Sequence, residues 1–161
     1  MLEYLSQLNP YLAVIVTAML PLVELRGAIP IAIGAYHLSP LLALGLAVVG
    51  NLIPIVVLLL LLERVTKWLR ALHPSVDKWF AWFFAHTHRR HSAKFERWGS
   101  LALMLFVAVP LPMTGAWTGT LLAYLFGIKF HHALVFISTG VLIAGIIVLL
   151  ASLGGTALLT I

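Results

Sequence analysis

The chain has 161 residues, of which 62% are hydrophobic and only 9% are charged, whereas soluble domains average about 45–50% apolar residues. This composition excludes an ordinary soluble domain and indicates an all-α integral membrane protein with a single membrane domain over residues 1–161. The chain has a net charge of +5 and contains no cysteine, which excludes disulfides and thiolate metal or redox sites.

The first apolar stretch, residues 11–36, is interrupted by charge. Within PLVELRGAIP, Glu24 and Arg26 separate an apolar run over residues 11–23 from one over residues 27–36. At 1.5 Å per residue neither run crosses a hydrocarbon core of about 30 Å, so the stretch is either one broken spanning helix or a re-entrant hairpin. The N-terminus lacks the basic region of a secretory signal, so we expect this segment to be retained.

Residues 41–62 carry no charge and reach the length of about 20 residues that a spanning helix needs. We therefore predict a transmembrane helix there. The next segment, residues 63–98, holds eight Lys and Arg against three acidic residues, which equals the whole net charge of +5. The positive-inside rule explains this excess better than nucleic-acid binding does. We expect a cytoplasmic segment, no nucleic-acid partner and a multi-pass protein of the cell (plasma or inner) membrane.

The basic segment is also rich in aromatic residues. Trp79, Trp82 and Phe83 follow helical spacing, which predicts an amphipathic helix lying in the inner headgroup layer. The string HTHRRH places His88 and His91 on one helical face, but without a thiolate or carboxylate beside them. We therefore expect no metal site.

The second interrupted stretch, residues 101–128, is broken by PLPMTGAWTG rather than by charges. A re-entrant hairpin here places Lys129 and the following histidines on the basic side, which the charge bias favours over a full crossing. Residues 133–153 are again uncharged, and we predict the second transmembrane helix there.

The two halves predict an inverted repeat of a re-entrant hairpin followed by a transmembrane helix, as in repeat transporters. The two breaks align with one gap, and the two spanning segments share a short fragment. The matched residues include Pro21 and Pro110, Gly27 and Gly115, Tyr36 and Tyr124, Gly50 and Gly140, Leu52 and Leu142, and Ile53 and Ile143.

A charged pair inside a membrane segment is costly and therefore predicts function, although mutual neutralisation of Glu24 and Arg26 is the structural alternative. If the two breaks meet at the midplane, Arg26 and half-helix N-termini form an anion site, with Glu24 as a proton-binding carboxylate. Asn51 either lines the same space or makes an interhelical hydrogen bond. The candidate substrate- or ion-binding residues are Glu24, Arg26, Gly27, Pro30, Asn51, Pro110, Pro112, Thr114, Gly115, Trp117 and Thr118.

The motifs ELRGAIPIA and PLPMTGAWTG resemble the small multidrug export protein family of bacteria and archaea, which is similar to the wider DedA (VTT) superfamily of re-entrant-helix membrane proteins. The resemblance implies a small integral membrane protein with two re-entrant segments and a transport role. The DedA relation implies lipid-phosphate transport or lipid scrambling through a membrane acid, matched here by Glu24, and arginines. The second hairpin has no arginine, which departs from the DedA pattern.

We therefore predict a transporter of a small anionic, lipid-phosphate or amphiphilic substrate, coupled to protons or ions, with no cofactor. The chain contains no Ser/His/Asp grouping, Walker loop or dinucleotide fingerprint, so we do not expect an enzyme. The alternatives are a gradient-independent lipid scramblase and a membrane structural or assembly factor. Because two spanning helices make a thin wall, we also expect a homodimer.

Overall fold

The computed structural model describes residues 9–72, 78, 93–111 and 114–159, and the described elements are all helical. In chain order they are α1 Pro10–Met19, α2 Glu24–Gly34, α3 Pro40–Leu72, α4 Ala93–Ala108, α5 Ala116–Leu125 and α6 Phe130–Leu159. This confirms the all-α prediction for the described part of the chain. The amphipathic helix predicted around Trp79 and Trp82 lies outside the described residues, as does Pro112.

The helices α3 and α6 are long and apolar enough to cross a membrane. Their apolar parts, Pro40–Leu62 and Phe130–Gly155, contain 23 and 26 residues and include both predicted spans. Helix α3 continues to Leu72, ten residues beyond the predicted end at Leu62. The charges that end the apolar span do not end the helix, because a helix keeps its backbone hydrogen bonds whether its side chains face lipid or water.

The first break lies earlier than the sequence indicates. The chain leaves helical geometry at Leu20, where α1 ends, and α2 already begins at Glu24. Arg26, Gly27 and Pro30 therefore lie inside α2, and side chains two positions apart on a regular helix point to different sides. The two charged side chains still meet because Glu24 has a left-handed backbone (φ +49°), so its side chain does not follow the regular course of the helix.

Each pair of short helices packs on one long helix. Helices α1 and α2 pack against each other and against α3, while α4 and α5 pack against each other and against α6. The long helices α3 and α6 also contact each other, and α2 reaches α6 as α5 reaches α3. This interleaving brings the two breaks towards the middle of the molecule.

Small side chains fill much of the core, as is common where helices pack inside a membrane. They allow close approach of the backbones, and larger aliphatic side chains such as Leu25, Ile29 and Ile137 fill the rest of the core. The fully buried alanines are Ala18, Ala28, Ala32, Ala43, Ala47, Ala123 and Ala133.

Candidate functional site

Glu24 is a buried carboxylate at the first residue of α2, with only 6% of its surface exposed. Its left-handed backbone costs on the order of 1–2 kcal/mol for a residue with a Cβ atom. Strained residues of this kind persist where the surrounding structure holds them, and they concentrate at functional sites. The backbone strain and the buried charge therefore both indicate Glu24 as a candidate functional residue.

The Glu24 carboxylate lies at the N-terminus of α5, in the other half of the chain. Its Oε1 atom accepts a hydrogen bond from the backbone N–H of Trp117, with the nitrogen and oxygen 3.5 Å apart. The first N–H groups of a helix have no partner within the helix and carry partial positive charge, so they favour an anion. Gly115 precedes this helix as its N-cap.

Arg26 connects Glu24 to the second break. Its Nη2 atom lies 3.8 Å from Oε2 of Glu24, and its Nη1 atom donates to the backbone carbonyl of Leu111. The Arg26 side chain remains 23% exposed, so its two protein partners do not enclose it completely. Mutual pairing of the two charges was the structural alternative considered from the sequence, and the structure places them together, with a further bond from Arg26 to a carbonyl 85 residues away.

Thr114 makes several hydrogen bonds to the backbone within the second break. Its backbone N–H donates to the Leu111 carbonyl at 3.1 Å, and its hydroxyl lies 2.8 Å from the carbonyls of both Val109 and Leu111. The same hydroxyl accepts from the N–H of Leu111 at 3.2 Å. Thr114 therefore holds the carbonyl that Arg26 binds, which is a positioning role.

The remaining predicted polar residues differ in their surroundings. The Thr118 hydroxyl donates to the carbonyl of Gly115 at 3.4 Å. Among the described residues, the indole nitrogen of Trp117 and both side-chain polar atoms of Asn51 are buried without a hydrogen-bond partner. The interhelical hydrogen bond expected for Asn51 is therefore not found there. Burying such groups without a partner costs about 1–3 kcal/mol each.

A cavity of about 510 Å³ opens beside Arg26. Pro30 of α2 and Pro110 of the second break line it, together with residues between 147 and 155 of α6. The sequence singled out Arg26 and both prolines but missed the wall from α6. The signal was present, since four of the five residues of ASLGG, at the end of the second apolar span, are small. The cavity combines one cationic group with mainly apolar walls.

The structure thus brings together Glu24, Arg26, Pro110, Gly115 and Trp117, whereas Gly27 instead makes room for the Val23 side chain. Across the described ranges, no group of three or more His, Cys, Asp or Glu is placed to hold a metal ion. The arrangement offers a guanidinium at the wall of a mainly apolar cavity and a buried carboxylate that pairs with it.

Comparisons with known proteins support one assignment. A family model described as "Putative small multi-drug export protein" matches residues 24–147, well over half of the chain, beginning at Glu24 and covering the second break. No curated protein matches the chain. No solved structure matches it either. The relation to the DedA superfamily stays a prediction. The match and the two long apolar helices place the protein in a membrane, and the chain belongs to the small multi-drug export protein family.

Proposed function

We propose that the protein is a membrane transporter that moves a small anionic or amphiphilic solute, coupled to protons or ions, through a site between the two breaks. One observation carries the proposal: Arg26 bridges the buried carboxylate of Glu24 and the Leu111 carbonyl of the other half. A change in ligand or proton occupancy at this point acts on both halves of the molecule at once.

An internal repeat supports this proposal. A Cβ atom built on Gly50 of α3 would lie 2.5 Å from the carbonyl oxygen of Ile15 and 2.9 Å from Cβ of Ala18. A Cβ atom on Gly140 of α6 would lie 2.7 Å from the carbonyl oxygen of Met104 and 2.8 Å from Cβ of Val107. Ile15 and Ala18 precede Met104 and Val107 by the same number of positions as Pro21 precedes Pro110. Equivalent glycines therefore pack on equivalent turns of α1 and α4.

The burial pattern of the long helices repeats with the same alignment. A shift that places Gly50 on Gly140 also superposes six buried positions of α3 on six buried positions of α6. They are Ala43, Ala47, Gly50, Asn51, Pro54 and Ile55 in α3, and Ala133, Ile137, Gly140, Val141, Ala144 and Gly145 in α6. We infer that the two halves are one structural unit used twice.

The proposed membrane arrangement follows from helix lengths. Helix α1 has 10 residues and α2 has 11, which is about 15 Å each and too short for a core of about 30 Å. Helix α1 also packs against α2, and α4, whose apolar part is only Trp98–Ala108, packs against α5. We therefore infer that each pair of short helices enters and leaves on one side, while α3 and α6 cross. With the basic segment in the cytoplasm, the first pair enters from outside and the second from inside, which makes the repeat inverted.

The proposed coupling uses competition for positive charge. Without a solute, the Glu24 carboxylate pairs with Arg26 and with the N-terminus of α5. An anion that binds Arg26 competes with Glu24 for its positive charge. A buried carboxylate without a partner then costs free energy. Anion binding therefore favours protonation of Glu24. The mainly apolar cavity beside one guanidinium suits an anion with an apolar body, a class that includes lipid phosphates.

The test is coupled flux in liposomes. The protein is reconstituted under a pH gradient, decyl phosphate or inorganic phosphate is added, and the internal pH is followed. We expect solute-dependent proton movement in the wild type and none in Glu24→Gln, whereas Arg64→Gln at the exposed end of α3 should behave as wild type. Full activity of a correctly inserted Glu24→Gln variant would refute the proposal. Scrambling of fluorescent lipids without any gradient would instead support the scramblase alternative.

A further inference from the structure

The cavity beside Arg26 extends towards one face of the membrane domain. Its wall on α2 runs from Arg26 to Ile33, close to the end of that helix at Gly34. A short turn then leads to Pro40, where α3 begins. Its wall on α6 includes Gly155, the last residue of the apolar span. The cavity therefore leads from the breaks to the face where α3 starts and α6 finishes its crossing.

That face is opposite to the basic segment. Helix α3 runs away from it over Pro40–Leu62, about 35 Å, before the chain reaches the charges that follow. A Cβ atom built on Gly145 would lie 2.7 Å from the Leu44 side chain, so the second half of α6 packs on the first half of α3. The two long helices thus pass each other in opposite directions, and the cavity lies away from the charged end of α3, where the basic segment begins.

The repeat does not reproduce the small residues that line the cavity. Under the alignment that pairs Gly50 with Gly140, Ala151 and Ser152 of α6 correspond to Leu61 and Leu62 of α3. On α6 the cavity is lined by Ala151, Ser152 and Gly155 as well as by Ile147 and Val148. Residue size at Ala151 and Ser152 distinguishes the two halves of the repeat.

We infer that a solute reaches Arg26 from the membrane face opposite the basic segment, along α6, and that Ala151 and Ser152 determine whether this route is open. Under the proposed topology this is the non-cytoplasmic face. The inference rests on the proposed function for the nature of the solute, an anion with an apolar body, but the route itself rests on the cavity and the helix directions.

The test uses single cysteines in this naturally cysteine-free chain. Ser152→Cys places a thiol in the cavity, and Leu62→Cys is its matched control on α3. Ser39→Cys and Lys129→Cys mark the two faces, because these residues occupy equivalent positions just before α3 and α6. Sealed vesicles are treated with the membrane-impermeant anionic reagent 2-sulfonatoethyl methanethiosulfonate, added on one side at a time.

We expect Ser152→Cys to react from the side that labels Ser39→Cys, and Leu62→Cys not to react from that side. Because the reagent is an anion, adding Arg26→Gln should slow labelling of Ser152→Cys on the order of tenfold. Adding Ala151→Leu, the residue found at the equivalent position of α3, should also slow it. If Ser152→Cys is poorly folded, Ala151→Cys serves as the second cavity thiol.

Reaction from the Lys129 side, or no reaction of either cavity thiol until the protein is denatured, would overturn the inference. The outcome is independent of the proposed function, because labelling requires no transport. Labelling from the Ser39 side together with a silent flux assay would leave the route standing and remove the transporter proposal. Active flux without that labelling would remove the route and leave the transporter proposal standing.

Discussion

Gly115 leaves the space that the carboxylate of Glu24 occupies. A Cβ atom built on Gly115 would lie 2.8 Å from the carboxylate carbon of Glu24, closer than such atoms approach in proteins. The backbone of Gly115 is extended, so its glycine is explained by this close approach and not by an unusual φ. The second break thus accommodates the charge of the first.

We expect Gly115→Ala to displace the Glu24 carboxylate from the N-terminus of α5. Overpacking at such a contact costs about 1–3 kcal/mol, and the loss of the Trp117 bond should reduce coupled flux strongly. Unfolding in detergent and liposome flux measure the two effects. Gly45→Ala is the control, because nothing lies within 4 Å of its Cβ position. Equal behaviour of the two variants would show that Glu24 does not need this space.

The paired glycines of the long helices provide a test of the repeat. Gly50→Ala and Gly140→Ala should each lower the free energy of unfolding by about 1–3 kcal/mol, because each new methyl group meets a backbone carbonyl that cannot move aside. The two losses should be similar if the contacts are equivalent. Thermal unfolding in detergent compares them, again with Gly45→Ala as control. A large loss at one position and none at the other would argue against equivalent packing.

Arg26→Gln should destabilise the protein by leaving Glu24 buried without its counter-charge, on the order of 1–3 kcal/mol. The double variant Arg26→Gln with Glu24→Gln should recover part of this loss, because the uncompensated charge is then gone. Both variants should be inactive in flux. Denaturant unfolding of the single and double variants measures the coupling between the residues. Additive effects would contradict a direct interaction between the two side chains.

Asn51 is fully buried, and the equivalent residue of α6 is Val141. Asn51→Val should therefore raise the stability by about 1 kcal/mol or more, since it removes a buried amide that has no partner in the described structure. If the amide serves the solute, the same variant should lose flux while gaining stability. Unfolding and flux measured on one preparation separate the two effects. A loss of stability would show that the amide has a bonding partner in the folded protein.

The positions of the spanning helices and of the breaks could be predicted because they depend on properties that are local along the chain. An uncharged run of about 20 residues must be helical to satisfy its backbone in lipid, wherever its neighbours are. Charge placed in PLVELRGAIP and proline placed in PLPMTGAWTG interrupt such runs for equally local reasons. The sequence match between Gly50 and Gly140 is also local, since each glycine is followed at the same spacing by a Leu-Ile pair.

The boundary of the first break was predicted less well. The charges of Glu24 and Arg26 suggested that the helix stops there, yet it stops at Leu20 and resumes at Glu24. The strain of a left-handed glutamate is outweighed by contacts from the other half, and no sequence pattern reports them. Helix α3 extends beyond its predicted end at Leu62 for the opposite reason. The chain becomes polar after Leu62, but its helical geometry continues to Leu72.

The sequence by itself determined a helical membrane protein with two apolar segments long enough to span a membrane, one basic segment and two interrupted stretches, because hydropathy and charge act residue by residue. Only the tertiary structure decided that Glu24 accepts a hydrogen bond from the N–H of Trp117 and that Arg26 donates one to the Leu111 carbonyl. It also decided that α6 lines a cavity beside them. These contacts join residues far apart in the chain. They depend on how the helices pack, and packing is set by the fit of many side chains together.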